Sequence, residues 1–197
     1  SPSSSCTRTT IPSRREDAVA LLAGAPSPQV VIGGASRAES VQAGLAALDA
    51  GADTPVLIHD AARPFVPRAC IEGLLTALED HDGAIPGLPV ADTLKRANPQ
   101  IKETVPREGL WRVQTPQAFR LGRLRAAYAA LRPGTEPTDD ASVVEANGGR
   151  VVVTPGDPML MKLTYPEDFA MAERLAGAAR ITRIGQGVDA HRWGPGD

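Results

Sequence analysis

Short apolar runs that end in glycine or polar residues, each followed by a segment with helical spacing, constrain this chain more than any other feature. QVVIGG (29–34), PVLIHD (55–60) and RVVVTPG (150–156) are such runs, and compact apolar stretches bounded by turn signals suit buried strands. Between them, Val41, Leu45 and Leu48 recur at spacings of four and three over 37–50, which predicts a helix with one apolar face. Residues 67–80 repeat the pattern with Ile71, Leu74, Leu75 and Leu78, and Pro67 stands at the helix start. Further helices are predicted over 16–24, over 121–132 and over 138–149, the last with a polar N-cap region and Gly148 as its stop. MLMKL (159–163) reads as a strand, and Thr164-Tyr165-Pro166-Glu167 has the spacing of a capping box at the head of a terminal helix. Strands that alternate with helices predict a three-layer α/β/α sandwich with a mainly parallel sheet.

Several classes are excluded. No apolar run approaches the roughly 18 residues that span a bilayer, and residues 1–14 lack the apolar core of a signal peptide. That segment is polar and without periodicity, and reads as disordered loop. Lys+Arg 21 against Asp+Glu 23 leaves a net charge of −2, which argues against general nucleic-acid binding. Two cysteines, Cys6 and Cys70, make no disulfide framework, so a reduced, cytoplasmic protein is expected.

In an open α/β sheet, ligands bind beyond the carboxyl ends of the strands. Gly33-Gly34-Ala35-Ser36-Arg37 follows one strand and opens a helix. It serves either as a tight turn or as an anion site at a helix N-terminus. Asp60 and Arg63 follow the strand 56–58. A carboxylate there can hold a divalent ion or a ribose hydroxyl, and Arg63 can fork onto phosphate; the alternative is an ion pair that stiffens the loop. Thr93 and Arg107 lie in an extended excursion after GAIPGLP. Gln114-Thr115-Pro116-Gln117 suggests an ordered turn. Lys162 sits in an apolar run, directed either to solvent or to the sheet's active edge.

In order and at compatible spacing, GGASRAESV, VLIHDAARPF, PVADTLKR, LWRVQTPQAF, TDDASVVE and MKLTYPEDF resemble the 2-C-methyl-D-erythritol 4-phosphate cytidylyltransferase family. The tail RIGQGVDAHRW resembles the opening of the 2-C-methyl-D-erythritol 2,4-cyclodiphosphate synthase family, which occurs fused to the first enzyme in some bacteria. The resemblance implies three segments: 1–14 unmatched, 15–180 a cytidylyltransferase domain of Rossmann-like fold with its N-terminal units missing, and 181–197 the start of a synthase domain. The family's glycine-rich loop, with its arginine and lysine for the CTP triphosphate, has no counterpart here. A fragment of doubtful activity is therefore expected. Another sugar-phosphate nucleotidyltransferase and a non-catalytic dimerising remnant are the alternatives.

The resemblance further implies roles. Arg107 and Lys162 position methylerythritol phosphate for attack on CTP. Asp60, Arg63, Thr93 and Thr115 line its pocket, and Gly33, Gly34 and Ser40 lie near the cytidine. Mg²⁺ bridges the triphosphate, and 89–108 is an arm that clasps a second subunit of a homodimer. Asp189 and His191 are ligands for Zn²⁺ or another divalent ion in the synthase domain.

Overall fold

The computed structural model describes residues 5–8, 29–132 and 134–179. They fall into two compact units that divide after Met161. In the first unit, β1 (Ser5–Arg8) pairs in parallel with β2 (Gln29–Ile32). Helix α1 (Arg37–Ala47) follows, then β3 (Pro55–Ile58), α2 (Arg68–Ala77) and β4 (Gly83–Pro89). An exposed antiparallel hairpin, β5 (Leu94–Ala97) and β6 (Ile101–Val105), interrupts the domain. The chain returns through β7 (Trp111–Val113), β8 (Gln117–Arg120), α3 (Leu121–Ala129), α4 (Asp140–Ala146) and β9 (Val151–Pro155). The second unit carries α5 (Pro166–Ala179).

The central sheet is mixed. Gly83 and Ala84 of β4 pair with β8 on one side and with β9 on the other, so β4 lies between them. β8 also pairs with β3, and β7 continues the antiparallel edge along the second half of β4. β3, β4 and β9 therefore share one direction, and the broken strand β7–β8 runs against them.

Alternation along the strands sends successive side chains to opposite faces. Val56 and Ile58, Ile85, Phe119 and Val151 face a core with Val41 and Leu45 of α1, Leu121 and Leu124 of α3, and Val143 and Val144 of α4. Leu57, Ala84, Ala118 and Val152 face a second cluster with Leu74 of α2 and Leu78, the residue that caps its end. Helices thus cover both faces, and the predicted three-layer sandwich is what the chain forms. The apolar face of α2 is narrower than its sequence suggests. Leu74 and Leu78 are buried, whereas Leu75 is exposed.

Turn chemistry sets the element ends. Asp139 caps α4, its Oδ1 accepting the Ser142 N–H at 2.9 Å, and Gly148 at φ 78° ends it as predicted. Three local readings need correction. Ser5–Arg8 is a strand rather than loop, because its backbone bonds are supplied by β2 some twenty residues later, a partner that local composition cannot reveal. MLMKL is not a strand. Asp157 accepts the Met159 N–H at 2.7 Å and Pro158 fixes φ, which winds Pro158–Leu160 into a 3₁₀ turn. At the head of α5, Asp168 rather than Glu167 reaches back, accepting the N–H groups of Thr164 and Tyr165 at 2.7 and 2.8 Å. The helix predicted over 16–24 lies outside the described residues.

Candidate active site

The carboxyl ends of β3, β4 and β9 and the amino end of β8 share one edge of the sheet, because β8 runs against the other three. Several sequence-predicted residues converge there. Asp60 follows β3 and Thr115 precedes β8; the Asp60 N–H donates to Thr115 Oγ1 at 3.0 Å. His59 Nε2 lies 2.8 Å from the Arg63 carbonyl oxygen, and its Nδ1 lies 3.1 Å from Thr115 Oγ1. A carbonyl oxygen only accepts, so Nε2 carries the proton in this pairing. In the tautomer that carries its proton on Nε2, Nδ1 accepts the hydrogen of Thr115. Thr115 is thus spent on organising the Asp60 loop. His59, passed over in the sequence because a lone histidine has no telling spacing, is the hub of that loop.

Arg63 is anchored by Nη1, which donates to the Leu160 carbonyl at 2.5 Å, and its Nε is buried without a hydrogen-bond partner. Burial pulls the Arg63 pKa below the ordinary arginine value, and the nearby charge of Asp60 offsets part of that pull. The guanidinium remains a cation, held beside a carboxylate at the sheet edge.

The Gly33–Gly34 turn leads into α1. Ser36 caps that helix, its Oγ accepting the Glu39 N–H at 3.2 Å, while the Glu39 carboxylate accepts the Ala35 N–H at 2.6 Å. A Cβ on Gly34 would lie 2.2 Å from Glu39 Cβ, so only glycine lets the side chain fold back over the turn. The backbone N–H just ahead of the helix cap is thus engaged by an internal carboxylate, and the Glu39 N–H by the cap itself. Ser40, also on this turn and buried, donates to the Ser36 carbonyl at 2.9 Å.

Arg37, unassigned by sequence reasoning, makes a longer connection. Its Nη2 donates to Asp140 Oδ2 at 2.5 Å, and Tyr128 donates its hydroxyl to Asp140 Oδ1 at 2.6 Å. Asp140 is fully buried. Burial alone works against the Arg37 charge, but the bond and charge of Asp140 outweigh it and the pKa is raised. Burial, then the charge of Asp140, drive the Tyr128 phenol far above its ordinary value. The only sequence signals were an arginine after Gly-Gly and a second aspartate in TDDAS.

Thr93 and Arg107 stand on the arm that leaves β4 and returns at β7. Arg107 Nη1 donates to the Ala91 carbonyl at the arm's root. Lys162 belongs to the second unit. Asp189 and His191 lie outside the described residues. Among the described residues, no group of three or more His, Cys, Asp or Glu side chains can hold a metal ion, and no helix is long and apolar enough to cross a membrane. A separate cavity of about 380 Å³ opens at the other end of the sheet, beside His81, Asp82, Arg120, Arg123 and Arg150. Its arginines bond to Asp53, Leu78, Asp80 and Asp82.

The family model described as 2-C-methyl-D-erythritol 4-phosphate cytidylyltransferase matches residues 3–177, a span that begins inside the front segment read as unmatched. The chain is 64% identical over 180 residues to a "Bifunctional enzyme IspD/IspF" of Caulobacter vibrioides (strain NA1000 / CB15N), covering 90% of this chain and 47% of that protein. It is 50% identical over 174 residues to the protein of the same name in Rhizorhabdus wittichii, covering 88% and 44%. The chain therefore spans about half the length of these relatives. Among solved structures it resembles a 4-diphosphocytidyl-2C-methyl-D-erythritol synthase, with a TM-score of 0.74 and 40% identity over 81% of this chain and 76% of that one. It also resembles the 2-C-methyl-D-erythritol 4-phosphate cytidylyltransferase of Thermus thermophilus, with a TM-score of 0.69 and 41% identity over 78% of each.

Proposed function

This chain belongs to the 2-C-methyl-D-erythritol 4-phosphate cytidylyltransferase family, and from that premise we propose that the protein transfers a cytidylyl group from CTP to 2-C-methyl-D-erythritol 4-phosphate. The observation that carries the reading is the convergence of Asp60, Arg63 and Thr115 at the carboxyl edge of β3. A 4-phosphate oxygen attacks the α-phosphorus of CTP; the new P–O bond forms as the bond to the bridging oxygen breaks, and pyrophosphate leaves. Two anions must approach in line, so the chain's task is positioning and charge neutralisation. Arg107 and Lys162 hold the attacking phosphate, with Arg63 and Asp60 beside the sugar and Thr93 as a hydroxyl donor. Thr115 acts through the Asp60 backbone. Gly33, Gly34 and Ser40 face the cytidine. The arm over 89–108 joins a second copy of the chain, so that Thr93 and Arg107 complete the partner's site, and the enzyme works in the cytoplasm.

A nucleotide-borne Mg²⁺ fits this donor set, since Mg²⁺ is commonly held by one or two carboxylates plus substrate phosphates, and Asp60 is a carboxylate able to meet it. Bound with CTP, the ion supplies charge neutralisation at the phosphates. Asp189 and His191 would provide two of the zinc ligands of a following synthase domain.

Pyrophosphate release tests the reading. It is measured with CTP and methylerythritol phosphate on this chain and on a form extended at its front by the corresponding segment of the Caulobacter relative. The extended form should release pyrophosphate only with both substrates present, and this chain should release little. Absence of turnover in both forms, each folded, refutes the proposal.

A further inference from the structure

The first turn of α4 places two consecutive carboxylates, and each holds a different wall of the site. Asp139 Oδ2 accepts from Gln117 Nε2 at 2.9 Å, at the start of β8 and two residues after Thr115. Asp140 accepts from Arg37, the first residue of α1, which follows the Gly33–Gly34 turn directly. A buried carboxylate with one oxygen unengaged would be free to reorient. Tyr128 removes that freedom by donating to the other oxygen from α3. Tyr128 is itself almost wholly buried, so the phenol has no solvent alternative. Arg37 keeps 38% of its side chain exposed while Asp140 is fully buried, and buried ion pairs rarely improve stability over an apolar core; what the network does is fix both Asp140 oxygens.

We propose that Arg37 is a positioning residue, locked by Asp140 and Tyr128, that sets the Gly33–Gly34–Ser40 turn for the nucleotide. It acts through the turn it anchors. Its Nη2 is committed to Asp140, and its Nη1 is buried without a hydrogen-bond partner. The charge of Asp60 also favours the Arg37 cation, which ties this wall electrostatically to the loop on the sugar-phosphate side. The inference rests on the functional reading above, because it assigns the α1 turn to the nucleotide rather than to the acceptor.

Steady-state kinetics test it, in whichever of the two forms turns over. Arg37→Gln should raise KM for CTP at least tenfold and leave KM for methylerythritol phosphate within twofold. Arg37→Lys should recover part of the loss. Tyr128→Phe, which keeps the ring in the core and deletes one hydrogen bond, should raise KM for CTP severalfold in the same selective way. A residue of purely structural importance would lower the folded fraction, and hence the maximal rate, without moving one KM alone. An unchanged KM for CTP in folded Arg37→Gln overturns the proposal, as does an equal rise in both constants. Should Arg37→Gln fail to fold, Tyr128→Phe decides on the same criterion. A folded wild type that turns over in neither form takes down the functional reading, and this assignment with it.

Discussion

Asp139→Ala removes two hydrogen bonds of different kinds, and the structure lets each be weighed. Asp139 Oδ1 caps α4 by accepting the Ser142 N–H at 2.9 Å; losing a carboxylate cap costs about 1 kcal/mol. Its Oδ2 accepts from Gln117 Nε2 at 2.9 Å. Gln117 is only 1% exposed, so water cannot readily replace the lost acceptor. A buried amide donor left unsatisfied costs roughly 1–3 kcal/mol. Gln117 Oε1 keeps its bond from the Ala141 N–H at 3.1 Å, which holds the side chain in place and prevents escape to solvent. The sum is about 2–4 kcal/mol, or a fall in Tm of roughly 4–16 °C for a domain of this size. Urea unfolding followed by circular dichroism measures it, provided the m-value is unchanged. Asp139→Ser separates the two contributions, since a serine hydroxyl can cap Ser142 but is too short to reach Gln117 in the same way. It should recover about 1 kcal/mol and no more. A loss under about 0.5 kcal/mol in Asp139→Ala, within the range of an ordinary surface change, would refute the reasoning. Full recovery in Asp139→Ser would show that Gln117 finds another partner.

Arg107→Ala and Lys162→Ala should each lower kcat/KM by about a hundredfold or more with the fold intact, equivalent to roughly 2.7 kcal/mol of transition-state stabilisation; near-wild-type turnover removes the residue from the mechanism. Gly83→Ala should destabilise by about 1–3 kcal/mol through overpacking, because its Cβ would lie 2.6 Å from the buried Phe119 ring; a thermal melt indistinguishable from wild type contradicts this. The Asp82 carboxyl is held below its ordinary value of 3.8, first by the Arg150 backbone N–H and then by the Arg123 charge. A lowered folded pKa gives stability that is present above 3.8 and lost as pH falls through the folded value. Asp82→Asn should therefore show a shallower loss of stability below about pH 4, and an acid limb identical to wild type counts against the pairing.

What could be read from the sequence divides according to the range of the interaction. The helix faces were legible because Val41 with Leu45, and Leu74 with Leu78, repeat within a few residues, and the cap and stop of α4 were legible because Asp139 and Gly148 act within a turn. Asp60 and Arg63 could be nominated from a rule about strand ends and Thr115 from the family resemblance, yet their meeting depends on β8 running against β3, a long-range pairing that local composition does not reveal. The strand at Ser5–Arg8 was missed because its ladder partner lies far along the chain. Arg37 and Asp140 mark the limit. They are 103 residues apart, on two helices with no shared motif, and neither spacing nor charge pattern relates them. Local sequence specifies the elements, and the packed sheet then chooses which polar residues share its open edge. That order explains why the strand-end residues could be nominated from the sequence while the Arg37–Asp140–Tyr128 network could not: strand-end loops carry local motifs, whereas a buried carboxylate needs only some cation and some hydroxyl that the fold brings within reach.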